Sequence, residues 1–285
     1  MKNARYYSQF AQRAMLYEAV CHPKPGLVDP VSPGAHQDMD IFTFIDSSSS
    51  MQKEFEDMYL AGYQFDGVDL KNLFDSIRPI GLKAEVEMMK STYDVNTHKG
   101  AIFSLGILLA GLGYLDNQKT TVSIDSIQSV VKEMTGHLLD DFNNLELKPE
   151  EKLTNGEKLY LEYGLLGVRG EVAQGFPTVL NYGLPLLEQY GDCSNESLLN
   201  VLMLMLYYNE DSNLIKRAGD VKILNWAKTI VTRYFKKGGS QTKDGILYLN
   251  ELNDLFISEN LSIGGTADLL IVTVFIYLVV SNQKK

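Results

Sequence analysis

The chain has 285 residues, 45% of them hydrophobic, and carries a formal net charge of −10 at pH 7. The apolar fraction suffices for a sizeable core, while the charge excludes a general nucleic-acid binder and disfavours adhesion to anionic membrane, both of which need clustered Lys and Arg. Two cysteines, Cys21 and Cys193, are too few for a disulfide framework and fit a reducing, cytoplasmic setting.

Helical periodicity dominates and strand-like alternation is scarce, which predicts an all-α fold in a single domain over residues 1–285. A first helix is expected from Tyr6 to Val20, with Phe10, Ala14 and Tyr17 inward, ending at Pro23-Lys24-Pro25-Gly26. The segment before it lacks the apolar run of a secretory signal. A second helix is expected from about Asp38 to Tyr63, in which Ser47 to Ser50 reads as a plain polar run. After a looser stretch from Asp66 to Pro79, a helix should carry Leu82 to Lys90, and another rich in Ala and Gly should open at Thr97 and run through Gly113. Amphipathic spacing marks Ile127 to Leu138. Lys148 to Gly156 reads as a solvated connection, followed by a Gly-punctuated segment from Tyr163 to Pro185. Leu198 to Tyr208 is apolar nearly all round, Leu214 to Phe235 is amphipathic, and a last helix follows Gly264-Gly265. A helix apolar on every side must be enclosed by others, so the Leu198 and Leu269 segments belong at the centre. Leu269 to Val280, the most apolar stretch, is too short to span a bilayer and reads as a core helix.

Six polar islands interrupt this sequence at helix ends or Gly-rich turns. Pro23 to Asp29 and Gly34 to Asp40 join a rigid turn to Lys24, Gly26, His36, Asp38 and Asp40, which suit cation binding or proton transfer. A helix cap at Asp38 is the plainer reading. Asp46 lies two turns beyond, and Glu18 at the end of the first helix is a further acidic candidate. Asn96-Thr97-His98-Lys99-Gly100 offers a cation and backbone donors at a helix start, where anions commonly bind. Arg169-Gly170-Glu171 presents a charged pair that a surface ion pair would equally explain. In Asp211-Ser212-Asn213, capping accounts for the acid and leaves Arg217 unexplained. Asp268, after Gly264-Gly265-Thr266-Ala267, opens the most apolar helix, where a carboxylate is costly without partners. No P-loop, dinucleotide-binding glycine pattern or zinc-protease motif is present.

Taken in order, these islands resemble the signature of the triphosphoribosyl-dephospho-CoA synthase family, over residues from about 10 to 275. One departure is Pro30 after Asp29, where relatives commonly carry Arg. The resemblance implies an all-helical transferase that moves the triphosphoribosyl unit of ATP to the ribose 2′-hydroxyl of 3′-dephospho-CoA and releases adenine. The product is the prosthetic-group precursor for the acyl carrier subunit of citrate lyase or malonate decarboxylase, passed on to a carrier-protein holo-transferase. Inversion at the anomeric carbon implies direct displacement. Such chemistry calls for negative charge near that carbon and a base for the incoming hydroxyl.

On this reading, Asp38, Asp40, Asp211 and Asp268 supply ligands for Mg²⁺ or the base. Lys24, Lys99, Arg169 and Arg217 hold phosphates, with Gly26, Glu171 and Asn213 also at the substrate. His36 or His98 donates a proton to adenine or binds phosphate as a cation. Oligomeric state stays open, a homodimer included. The rival readings are a metal-dependent helical hydrolase of nucleotides or ADP-ribosyl groups and a helical nucleotide-binding module.

Overall fold

A computed structural model describes residues 2–143, 145 and 148–283. Among these residues there is no β-strand, and fourteen α-helices follow in chain order. They are α1 (Lys2–Val20), α2 (Ile41–Ser50), α3 (Gln52–Tyr63), α4 (Leu70–Ser91), α5 (Lys99–Asn117), α6 (Ile124–Thr135) and α7 (Asn155–Tyr163). Then come α8 (Gly167–Ala173), α9 (Leu184–Tyr190), α10 (Asn195–Tyr208), α11 (Ser212–Ala218), α12 (Ile223–Lys236), α13 (Lys243–Ser258) and α14 (Gly264–Gln283). The all-α expectation holds.

Two helices organise the core. In α5, the run from Ala101 to Leu115 is buried on nearly every side, and in α14 so is most of Leu269 to Val280. Helix α5 packs against α3, α4 and α6, α14 packs against α1, α9 and α10, and the two touch each other. Observed over its full extent, α14 is 20 residues long, so both it and α5 are long and apolar enough to cross a membrane. This corrects the expectation of too short a segment. About 70% of each apolar window is buried against other helices, as expected of central core helices.

The predicted helix from Asp38 to Tyr63 is two helices. Asp40 caps α2 through Thr43, and the chain breaks at Met51, which is fully buried. The hydroxyls of Ser49 and Ser50 bond back to Ile45 O and Ser47 O, a local alternative that weakens helix propagation. Conversely, α4 begins twelve residues before the expected Leu82, capped by Asp69, and runs through Pro79. Proline removes one ladder bond there. Leu73, Phe74 and Ile77 before it and Ala84 and Met88 after it are all buried, so packing outweighs the loss. Gly219, at φ +71°, separates α11 from α12 within the single helix expected over 214–235, and α13 was not anticipated.

The loop between α1 and α2 is tied down along its length. Asp29 accepts from the backbone of Lys24, Val31 and Ser32 and meets His22 Nδ1 at 2.8 Å. Gly26 adopts φ +69°, and a Cβ there would lie 2.3 Å from Leu261 O, so the α13–α14 connection closes directly over this turn.

Candidate active site

A cavity of about 350 Å³ opens where the α1–α2 loop, the start of α5, the start of α11 and the start of α14 meet. Its wall includes Glu18, His36, His98, Lys99, Asn213, Arg217 and Asp268. Five of the six sequence islands therefore converge, from residues far apart in the chain, together with the acid at the end of α1.

The acidic side is built on two helix termini. Asp268, the fifth residue of α14, places its carboxylate against the start of α5, where the Ala101 N–H stabilises the charged form. Burial dominates nevertheless and, with Glu18 and Asp211 nearby, pushes the Asp268 carboxyl well above the ordinary carboxylate range. Gly100 makes this approach feasible, since a Cβ there would stand 2.0 Å from Asp268 Oδ2. Glu18 is only 2% exposed and is met by Lys24, whose Nζ donates to Glu18 O at 2.6 Å and to its Oε1. Lys24 is itself fully buried. It is thus a counter-ion behind the wall, where the sequence suggested a phosphate ligand.

His98 forms another part of the wall. It is 1% exposed, and burial lowers its pKa from 6.5 to about 3, with Lys24 acting in the same direction. It is therefore neutral at physiological pH, unsuited to the cationic role allowed it from sequence. Thr97 Oγ1 donates to Ser47 Oγ at 2.7 Å, and Ser47 Oγ lies 2.7 Å from His98 Nδ1. Accepting from Thr97 leaves the Ser47 hydroxyl hydrogen free to donate to Nδ1, and in that tautomer the proton of the neutral ring sits on Nε2. That buried Nε2 has no hydrogen-bond partner among the described residues. In the sequence Ser47 is only part of a plain polar run. Nothing local in sequence signals its contact with His98, 51 positions away.

The opposite side is basic. Arg217 Nη1 donates to Ala35 O at 2.8 Å and to Asn260 Oδ1 at 2.8 Å, and its Nη2 meets His36 Nδ1 at 3.3 Å. This side chain ties the α1–α2 loop to the α13–α14 connection at the cavity edge. Burial and Arg217 lower the His36 pKa, and Asp38 opposes them. Lys99 is largely exposed and pairs with Glu85 at 2.8 Å.

The remaining candidates lie elsewhere. Asp38 and Asp40 are exposed, and Asp40 spends Oδ1 on the Thr43 N–H and hydroxyl of its cap. Asp211 is buried and accepts from Asn213 N, Leu214 N, Thr266 N and Thr266 Oγ1, so it joins the starts of α11 and α14 as a brace. Among the described residues, no group of three or more His, Cys, Asp or Glu is placed to hold a metal ion, and the four expected carboxylates are not gathered into one. Arg169 stands over the Phe142 ring beside a different cavity, and Glu171 accepts from Thr178 N and Oγ1 at a third hollow. Gly26 shapes the loop beneath the wall.

Residues 4–285 match the model of a family described as ATP:dephospho-CoA triphosphoribosyl transferase. The chain belongs to this family. Among its relatives is a probable 2-(5″-triphosphoribosyl)-3′-dephosphocoenzyme-A synthase of Lactiplantibacillus plantarum, 45% identical over 94% of this chain and 95% of that protein. A protein of the same description from Vibrio cholerae serotype O1 is 35% identical over 98% of this chain and 90% of its own length. Protein CitXG of Leuconostoc mesenteroides subsp. cremoris is 45% identical over 95% of this chain, which spans 58% of that longer protein. No solved structure matches the chain. Membership accounts for the order of the islands. The cavity shows which of them meet.

Proposed function

We propose that this chain transfers the triphosphoribosyl group of ATP to the ribose 2′-hydroxyl of 3′-dephospho-CoA with release of adenine, as the family description implies. The product would serve as prosthetic-group precursor for the acyl carrier protein of citrate lyase or malonate decarboxylase, after transfer by a separate holo-transferase in the cytoplasm. The observation that supports this best is one cavity holding two carboxylates, Glu18 and Asp268, a neutral buried imidazole and a basic edge.

In the proposed step, the acceptor oxygen forms a bond to the anomeric carbon of ATP while the bond from that carbon to adenine breaks. Asp268 takes the proton of the attacking hydroxyl, a role to which its raised pKa suits it. Glu18 and Asp268 together supply negative potential for the positive charge that develops at the anomeric carbon. His98 Nε2–H donates a hydrogen bond to a nitrogen of the departing adenine without having to ionise; the base leaves with the electron pair of the broken bond and takes up a proton from solvent, while the proton received by Asp268 is returned to solvent after product release. Lys99, Arg217 and the first turn of α5 hold the triphosphate. The observed carboxylates do not form a ready-made magnesium cage. The ion would enter bound to the triphosphate and would neutralise phosphate charge, with Asp268 a carboxylate of the same cavity that could meet it.

Mass spectrometry of a reaction containing ATP, Mg²⁺ and dephospho-CoA tests the reading. Adenine and the condensed product should form together and in equal amounts. Adenine release that does not depend on dephospho-CoA would instead support a hydrolase.

A further inference from the structure

A second cavity adjoins the first, and Lys99 lines both. It measures about 380 Å³ and lies between α4 and α5, with His137 and Arg169 also in its lining. Its floor is apolar, formed by Met58, Phe74, Ile77, Ile102 and Phe103. Arg78, Lys99 and Arg169 stand among its lining residues with Glu85. Glu85 pairs with Lys99 at 2.8 Å, and Asp75 approaches Arg78 at 3.9 Å and His137 Nε2 at 3.7 Å. His137 Nδ1 is buried on this wall with no hydrogen-bond partner among the described residues.

Glycine keeps the space open. Gly81, in the middle of α4, lines the cavity, and a Cβ added to it would meet only the Met58 methyl, at 3.8 Å. A glycine inside a helix costs roughly 0.5–1 kcal/mol relative to alanine, so the position gives up helix stability while facing room for a larger side chain. The cavity is therefore a gap in packing between two helices whose other facing residues are buried.

Space makes a second subsite necessary. One drug-sized ligand fills a pocket of roughly 300–1,000 Å³, so the first cavity, about 350 Å³, takes one nucleotide and not both substrates. The acceptor, dephospho-CoA, is ADP esterified with pantetheine. It consists of a nucleoside carrying the reacting hydroxyl, a doubly charged pyrophosphate and a long arm of alternating methylene, dimethyl and amide groups ending in a thiol. The surfaces beside the reactive cavity offer a matching set of groups. Lys99 comes at the junction, the largely exposed Arg78 on α4 lies in reach of the charged group, and an apolar slot with one imidazole nitrogen unpartnered among the described residues can receive an amide-bearing arm.

Resting on the reaction proposed above, we infer that the α4–α5 cavity binds the phosphopantetheine arm of the acceptor, so that the acceptor ribose reaches Asp268 across Lys99.

The test uses calorimetric binding to the full-length protein of two probes, 4′-phosphopantetheine and ATP. Wild type should bind both. Gly81→Leu, which fills the slot, should weaken 4′-phosphopantetheine by at least about tenfold, roughly 1.4 kcal/mol, and leave ATP binding within about twofold. Arg78→Ser, at a side chain 66% exposed whose ion pair with Asp75 is itself a surface one, should weaken 4′-phosphopantetheine severalfold and more at low salt than at high. A melting curve establishes that Gly81→Leu is folded, and if it is not, Arg78→Ser decides. Wild type that fails to bind 4′-phosphopantetheine overturns the assignment, as do variants that bind it unchanged. Because binding requires no turnover, this result is separate from the product assay: a wild type that binds the arm but forms no condensed product overturns the reaction and leaves the slot standing.

Discussion

The two halves of the α1–α2 loop look equivalent as strings of Pro, Gly and charged residues, and the fold treats them in opposite ways. From His22 to Asp29 the charged side chains turn inward: Lys24 is fully buried against Glu18, and Asp29 is occupied by the backbone around it. From His36 to Asp40 they face outward, with Asp38 and Asp40 exposed and His36 alone in the cavity wall. The first half thus holds an acid in place for the site, while the second half shapes its mouth and caps the next helix. Charge density in a loop does not by itself mark catalysis. What decides is whether the chain that covers the loop, here the α13–α14 connection, leaves the side chain inside or outside.

The comparison is most exposed to test at Asp268, on the inward side. Asp268→Asn should lower the rate of adenine release by about 10²–10⁴-fold, the range for a lost general base, with little change in the melting temperature. In wild type, the rate should rise with pH over an interval above the ordinary carboxylate range, because a raised pKa delays formation of the active carboxylate, and this limb should vanish in the variant. A rate within a few-fold of wild type would remove Asp268 from the chemistry.

Next comes Lys24. Lys24→Met strands the Glu18 carboxylate in the interior and should cost about 3–5 kcal/mol in urea unfolding, with Glu18→Gln on top restoring most of it. If Lys24 instead served mainly as a phosphate ligand, stability would hold and the KM for ATP would rise.

His98 gives the sign of an acid limb in stability. Its folded pKa of about 3 lies below the ordinary 6.5, so between these values the unfolded chain binds a proton that the native one does not. The contribution is fully present above pH 6.5 and is lost as pH falls toward 3. From pH 7 to pH 5 wild type should lose about 2 kcal/mol through this residue. His98→Gln should flatten that part of the curve, and an unaltered curve would contradict the neutral, buried assignment.

Ser47→Ala should reduce kcat by about five- to tenfold, the scale of one hydrogen bond near 1 kcal/mol, and leave the KM for ATP unchanged. A structural role alone would lower the melting temperature without that separation. The smallest effect is expected outside. Asp40→Ala removes a cap and should cost about 1 kcal/mol, with activity within about threefold of wild type. Loss comparable to Asp268→Asn would show that the outer half of the loop is catalytic after all.

Read as sequence, the chain discloses its class and most of its core. The 3.6-residue periodicity and the all-round apolar runs at Leu198 and Leu269 reflect burial directly, because a side chain's polarity is chosen for the surroundings it meets. The islands were also legible as interruptions, since Gly, Pro and charge at helix ends break that pattern. Helix bounds were read less well where competing local effects were close in energy, at Met51, Pro79 and Gly219. What tertiary structure alone decided is membership of the cavity. Lys24 and Asp211 went behind the wall and Arg169 to a neighbouring cavity, while Ser47 came into contact with His98. Partners 50 or more positions apart leave no spacing to read, and a carboxylate's role as brace, cap or base depends on which donors surround it once the helices have packed.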